Sequence, residues 1–233
     1  MGLILLVVSL YVVFSVKKYI LFCFIPSALL WVFSGGLAKL RSVFLRILLV
    51  PFVLAIAALS GSYAVVKIGE GDKKYAIDKL AETAKVTAYD IRYQTGREAG
   101  SGYELGELDG TFLGLLSLLP QAINVSLFRP YLWEVHNPLM LLSALESLVL
   151  LLLTFHVIFW KWKNVIKSIL KPDILFCLVF SISFAFAVGV STYNFGTLTR
   201  YKIPLLPFYL LALLLIENYE KSDKKFNEFD TTE

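Results

Sequence analysis

Four stretches of the chain are long, apolar and almost free of charge, and they constrain the fold more than any other feature. The clearest one, Pro138–Trp160, carries only Glu146 and His156 as ionisable side chains. A helix that crosses a bilayer needs about 20 apolar residues. Each stretch is predicted to cross a membrane as an α-helix, because a backbone surrounded by lipid must satisfy its hydrogen bonds within its own segment. The other three stretches are Val43–Val66, Ile174–Val190 and Ile203–Ile216.

The composition supports a membrane environment. Hydrophobic residues make up 58% of the 233 residues and charged residues 17%, and the mean hydropathy is +0.71. A soluble domain is about 45–50% apolar and about 25% charged. The apolar excess excludes a disordered chain and argues against a water-soluble enzyme. The net charge of +4, without a basic stripe, excludes nucleic acid as a partner. The predicted fold class is therefore all-α, a polytopic membrane helix bundle.

Two shorter apolar stretches come first in the chain. Leu3–Val16 and Tyr19–Phe33 are separated by Lys17 and Lys18. We interpret them as two short membrane helices whose lysines extend to an interface. This interpretation brings the predicted total to six spans.

The distribution of lysine and arginine predicts the orientation of the bundle. With six spans, ten of the lysines and arginines in the tail and the short connections fall on one side and four on the other. Because positive residues favour the cytoplasmic side, both termini are predicted to be cytoplasmic. Membrane helices then occupy residues 1–66 and 138–218, an extracytoplasmic segment occupies 67–137, and 219–233 forms a cytoplasmic tail.

The extracytoplasmic segment divides into three parts. Asp72–Gln94 repeats apolar residues at helical spacing and predicts an amphipathic helix. Thr95–Gly110 contains five glycines and predicts a loop. Phe112–Trp133 is apolar and aromatic but is interrupted by Pro120 and Pro130, so we expect an interfacial or re-entrant segment.

The glycine-rich loop also carries four carboxylates. Oxygen ligands of this kind could hold a hard divalent cation. Their spacing lacks an EF-hand register, so a solvated acidic loop is the favoured interpretation, and no metal site or cofactor is predicted. The four residues are Glu98, Glu104, Glu107 and Asp109.

Glu146 is the most unusual residue of the predicted spans. It lies about nine residues into its helix, roughly 13 Å from the outer end at about 1.5 Å per residue. A charge at that depth is expensive and should face the bundle or a wet cavity. Glu146 could act as a general base, a proton site or the partner of a cation. The alternative is a structural glutamate that fastens two helices together.

Five further candidates lie on the same predicted outer side. Arg200 and Lys202 precede the last span and could bind a phosphate from the membrane surface, arginine through a bidentate fork and lysine as a point charge. Snorkelling of both side chains to the interface is the alternative. Arg129, Glu134 and His136 precede the span that contains Glu146.

Three segments resemble polytopic membrane proteins of bacterial surface-polysaccharide biosynthesis clusters. The third also looks like the C-terminal part of lipid-linked-sugar glycosyltransferases and polysaccharide polymerases. The resemblance covers about residues 100–216. The segments are Leu127-Phe-Arg-Pro-Tyr-Leu-Trp-Glu134, Ser143-Ala-Leu-Glu146 and Arg200-Tyr-Lys-Ile-Pro-Leu-Leu-Pro-Phe208.

The resemblance implies glycan assembly in the bacterial inner membrane, with a polyprenyl-phosphate-linked sugar as the substrate. The chain would transfer or polymerise sugars at the outer face. A non-catalytic subunit that contacts other envelope-assembly proteins, or a transporter or flippase component, is the alternative. If the chain is an enzyme, the implied catalytic residues are Glu146, Glu134 and His136, and the implied lipid-phosphate ligands are Arg129, Arg200 and Lys202.

Overall fold

The computed structural model describes residues 2–38, 101–106 and 112–220, together with five residues between 82 and 90. These parts of the chain contain no strand and are mainly helical; residues 101–106 are not helical, and Gly102 forms one isolated bridge with Asn194. The all-α prediction is therefore confirmed for the described residues. The predicted span Val43–Val66 and three of the four loop carboxylates lie outside them. Within Asp72–Gln94, the described residues 82, 85, 86, 89 and 90 are helical and exposed.

Nine helices and two 3-10 turns make up the described chain. The helices are α1 (Gly2–Val16), α2 (Lys18–Ala38), α3 (Phe112–Ser117), α4 (Leu119–Phe128), α5 (Pro138–Trp160), α6 (Trp162–Ser168), α7 (Pro172–Thr192), α8 (Phe195–Tyr201) and α9 (Leu206–Glu217). The turns are Leu132–Glu134, before α5, and Ile203–Leu205, between α8 and α9.

Three described helices are long and apolar enough to cross a membrane: α2 over Tyr19–Gly36, α5 and α7. The pair formed by α8 and Ile203–Glu217 passes the same test together but bends by 42°, which gives up to four spans. Helix α1 is apolar but shorter. The membrane character of the bundle thus agrees with the prediction, while the described residues account for three or four of the six predicted spans.

Helix α7 lies at the centre of the bundle and packs against α2, α4 and α9. Phe180 and Phe184 are almost fully buried on it. The ring of Tyr19 lies 5.6 Å from that of Phe184, and at the other end Trp31 Nε1 donates to Asp173 Oδ1 at 2.7 Å. These two contacts show that α2 and α7 run antiparallel.

Helix α5 and the α8–α9 pair run side by side in the same direction. Thr199 contacts Ser143, and further along Tyr209 Oη lies 2.9 Å from Thr154 Oγ1. We call the end where α5 begins the Asn137 end and the end where it finishes the Lys161 end. The Asn137 side chain accepts a hydrogen bond from the backbone N–H of Met140 and caps α5.

Residues 101–106 cover the Asn137 end of α7. The hydroxyl of Tyr103 donates to the carbonyl of Gly189 at 2.9 Å, and burial raises its pKa. The chain leaves α7 at Tyr193, whose φ of 44° is left-handed and ends the helix sharply. Helix α8 then begins with the side chain of Asn194 accepting two backbone hydrogen bonds.

Helix α4 enters the bundle and the chain then returns, as a re-entrant segment does. Ser126 Oγ donates to the carbonyl of Ala185 at 2.6 Å, and Ala122 packs against Gly189 nearer the Asn137 end. The carbonyl of Arg129, just after α4, meets the side chain of α5 residue Ser147, about 13 Å below the start of α5 at 1.5 Å per residue. Residues 130–137 lead back to the Asn137 end. We call residues 112–137 the re-entrant segment for this path into the bundle and back; whether it is interfacial or re-entrant in a membrane stays a prediction.

Candidate functional site

Lys202 is the one fully buried charged side chain among the described residues. It lies at the bend between α8 and α9. Pro204 and Pro207 follow it and have no backbone N–H to donate, so the regular helix stops and a 3-10 turn joins the two helices. The ammonium Nζ lies 2.9 Å from Glu146 Oε1 and 3.2 Å from Ser147 Oγ.

Glu146 differs from its partner in exposure. Its side chain is 40% exposed, whereas that of Lys202 is 0% exposed. Glu146 Oε1 is buried and lies at ion-pair distance from the Lys202 ammonium. In the described chain this oxygen accepts no well-aligned hydrogen bond, from the ammonium or from another donor. The carboxylate therefore has one oxygen turned toward the bundle, with unused acceptor capacity, and a surface that other molecules can reach.

The hydroxyl of Ser147 connects three parts of the fold. It accepts a hydrogen bond from Lys202 Nζ and donates one to the carbonyl of Arg129 at 2.9 Å. Ser147 itself is fully buried on α5. One hydroxyl thus joins α5, the α8–α9 bend and the turn of the re-entrant segment at the same level of the bundle.

A second ion pair is formed by the residue whose backbone carbonyl accepts the hydrogen bond from Ser147. Arg129 Nε donates to Glu134 Oε2 at 3.0 Å, and its Nη2 donates to the other carboxylate oxygen. The backbone N–H of Tyr131 also donates to Glu134. Burial acts to raise the pKa of Glu134, but these hydrogen bonds, together with the charges of Arg129 and His136, hold it below its ordinary value. The ring of Phe195 lies 5.3 Å from the guanidinium.

Two of the six candidate residues form no hydrogen bond with this cluster in the described chain. Arg200 is exposed, and its Nε donates to the carbonyl of Gly196 in its own helix at 3.1 Å. His136 is also exposed. Within the described residues, no hydrogen bond or ion pair connects either of them to Lys202 or Glu146.

The position of Lys202 differs from the sequence expectation. From the sequence, Lys202 is expected beside Arg200 at the outer interface, with Glu146 below both. In the structure Lys202 lies at the level of Glu146, because α8 runs down into the bundle before the bend. Residues two apart on a helix point about 200° apart, so the two cations face different surroundings.

Sequence reasoning missed two contributors. Lys17, expected at an interface, has its Nζ 3.3 Å from the centre of the Tyr201 ring, next to the bend. Thr199 donates to Ser143 one turn above the buried ion pair. In the sequence, the close spacing of Ser143, Glu146 and Ser147 indicates a polar face on α5. Nothing in the sequence pairs Lys17 with Tyr201.

No group of three or more potential metal-ligating side chains occurs in the part of the chain that the structure describes. The four members of the cluster offer instead two cations and two carboxylates in an apolar bundle. Comparison of the chain with protein-family models, with curated proteins and with solved structures gave no match. The chemistry of the cluster is therefore argued from its geometry.

Proposed function

We propose that this chain is an integral membrane protein of bacterial surface-glycan assembly, which binds the phosphate of a polyprenyl-linked sugar and transfers the sugar. One observation carries the proposal: a fully buried lysine, at a bend in a membrane helix, is paired with a half-exposed glutamate on the neighbouring helix. Ionisable groups inside a membrane bundle are expensive and usually mark a substrate or ion site.

The geometry favours an anionic ligand that exchanges with the carboxylates. The Lys202–Glu146 contact is not aligned as a hydrogen bond, so an N–H of the ammonium stays available. A phosphate oxygen that enters beside Glu146 could accept a hydrogen bond from it. Arg129 is held in a fork by Glu134 and could offer the same fork to a second phosphate oxygen. Lys202 and Arg129 are held in place by these contacts within an apolar bundle. In such a low-dielectric environment, a cation interacts strongly with the negative charge that develops on a leaving phosphate.

The proposed reaction is the transfer of a sugar to a hydroxyl. The hydroxyl oxygen of the acceptor attacks the anomeric carbon of the lipid-linked sugar, and the bond between that carbon and the phosphate oxygen breaks. The phosphate leaves with the electron pair and is stabilised by Lys202 and Arg129. Glu146, released from the ammonium, accepts the proton of the attacking hydroxyl. Glu134 is the second candidate base.

The proposed location is the outer face of the bacterial inner membrane, with both termini cytoplasmic. Lysines support this orientation because they collect at the Lys161 end of the described bundle, and positive residues favour the cytoplasmic side. The proposed site would then open toward the Asn137 end, on the extracytoplasmic side. The lysines are Lys161, Lys163, Lys167 and Lys171.

The test is sugar transfer by the full chain reconstituted in liposomes, with a polyprenyl-diphosphate-linked saccharide as donor and a lipid-linked acceptor. Lys202→Gln should abolish elongation, and the exposed Lys85→Gln should leave it unchanged. If Lys202→Gln does not fold, the double variant Glu146→Gln/Lys202→Met removes both charges together and should fold without activity. Normal elongation by a folded variant would refute the assignment.

A second candidate function is translocation of the lipid-linked sugar. Its supporting observation is the combination of the 42° bend at Lys202 with the re-entrant turn at Arg129, since discontinuous helices that meet at a charged site are typical of transport proteins. A fluorescent polyprenyl-phosphate in the same liposomes separates the two. Lipid exchange between leaflets without elongation would favour translocation.

A further inference from the structure

Helix α6 is built with its polar side toward the protein and its apolar side outward. Asn164 and Ser168 are buried, and the amide of Asn164 donates to the carbonyls of Ile216 and Glu217 at 3.2 and 3.3 Å. These carbonyls belong to the last turn of α9, where the regular i to i+4 hydrogen bonds of the helix run out. The buried face of α6 is therefore fixed by hydrogen bonds.

The outward side of α6 and of the turn that follows it, residues 169–171, combines two stripes. Trp162, Ile166 and Leu170 are 53%, 67% and 71% exposed and recur every four residues. The stripe beside them carries three exposed lysines at the same spacing. Apolar side chains next to lysines are typical of a helix that lies in the interface of a bilayer. The lysines are Lys163, Lys167 and Lys171.

The two described carboxylates near this face make their polar contacts with other residues. Asp173 accepts a hydrogen bond from Trp31, and Glu217 lies 3.7 Å from His156 Nε2. The ammonium groups of Lys163 and Lys171 lie over the rings of Trp162 and Tyr219. No ion pair to any of the three lysines is formed within residues 112–220. The surface thus combines apolar area with lysines that form no ion pair within these residues, and an anionic headgroup layer would match both.

We propose that this face binds the headgroups of anionic phospholipids in the leaflet at the Lys161 end. Its apolar stripe lies among the acyl chains and its lysines contact the lipid phosphates. This face, the α6 surface, consists of Trp162, Lys163, Ile166, Lys167, Leu170 and Lys171. The site is independent of the proposed sugar transfer, because it lies at the other end of α5 from the buried ion pair.

Native mass spectrometry of the full chain tests the proposal. The protein is taken from mixed micelles that contain equal amounts of phosphatidylglycerol and phosphatidylcholine with the same acyl chains. Each lysine near an anionic surface strengthens binding about fivefold. With three lysines, the wild type should therefore retain phosphatidylglycerol about a hundredfold over phosphatidylcholine, and Lys163→Gln/Lys167→Gln, which leaves one lysine, should reduce this preference to about fivefold.

The matched control is Lys73→Gln/Lys74→Gln, which changes the net charge equally and lies in the predicted extracytoplasmic segment. This control should keep the lipid preference of the wild type. Salt at about 0.5 M should weaken the wild-type preference, because it screens the attraction between the lysines and the lipid phosphates. Equal retention of the two lipids by the wild type would overturn the proposal. So would a loss in the control as large as that in the α6 variant.

Discussion

The ammonium of Lys202 is completely enclosed, while Glu146, 2.9 Å away, keeps 40% of its side chain exposed. The lysine therefore depends on the glutamate for stabilisation of its charge more than the glutamate depends on the lysine. Glu146 can be solvated from the surface when its partner is removed. Lys202 has only the hydroxyl of Ser147 as a second acceptor in the described chain. The asymmetry follows from the bend after α8, which turns the lysine inward from the end of a helix.

Removing the glutamate should destabilise the protein more than removing the lysine. Glu146→Gln leaves a buried ammonium without a counter-charge and should lower the free energy of unfolding by about 3 kcal/mol. Lys202→Met leaves a carboxylate that the surface can hydrate and should lower it by about 1 kcal/mol. Thermal unfolding in detergent measures both.

The double variant Glu146→Gln/Lys202→Met provides the control for this prediction. It leaves no unpaired charge, so its stability should lie close to that of Lys202→Met rather than at the sum of the two losses. A simple sum, or a larger loss for the lysine variant, would show that the pair is not arranged as described.

The contact between α4 and α7 leaves no room for a side chain at Gly189. A Cβ there would lie 2.5 Å from the carbonyl oxygen of Ala122 and 2.9 Å from Ser126 Oγ. Gly189→Ala should therefore displace the re-entrant segment and lower the free energy of unfolding by about 2 kcal/mol. At Gly36 in α2 a Cβ would meet nothing within 4 Å.

Gly36→Ala is thus the matched control, and it should be neutral or stabilise by about 0.5 kcal/mol through its higher helix propensity. Equal effects of the two alanines in the same unfolding assay would mean that α4 does not pack against α7 through Gly189.

Glu134 should contribute stability that depends on pH. Its pKa is held below the ordinary value of 4.5, so its charged form is favoured by folding. This contribution is fully present above about pH 4.5 and is lost as the pH falls through the lower pKa of the folded state. At neutral pH, Glu134→Gln should cost about 1.5 kcal/mol. Below pH 4 the wild type and the variant should converge in unfolding experiments; a constant difference down to pH 3 would contradict the ion pair with Arg129.

The membrane helices could be predicted from the sequence because long apolar runs have few alternatives. Ile174–Val190 falls within α7, and the predicted span Pro138–Trp160 coincides with α5. A helix surrounded by lipid must be made of apolar residues, and an apolar run can be read directly from a sequence. The exposure of α1, where Ile4 and Tyr11 are each 69% exposed, reflects the same rule.

The arrangement of the candidate site could be predicted only in part. Glu146 was recognised because a charge among apolar residues needs a partner, but its partner Lys202 is 56 residues away. Which of Arg200 and Lys202 turns inward depends on where α8 ends, and that end is set by packing around Pro204. The pairing of Arg129 with Glu134 likewise requires the re-entrant turn, which depends on the close approach of α4 to Gly189.

The binding of a phosphate-bearing lipid to the buried pair is the most direct test of this account. The measurement compares a polyprenyl phosphate with the uncharged polyprenol of the same length, using the purified full chain in detergent and its Lys202→Gln variant. The account predicts that the wild type binds the phosphate at least about tenfold more tightly than the alcohol, and that the variant loses this difference. Equal affinity of the wild type for the two lipids, or an undiminished preference in the folded variant, would contradict it.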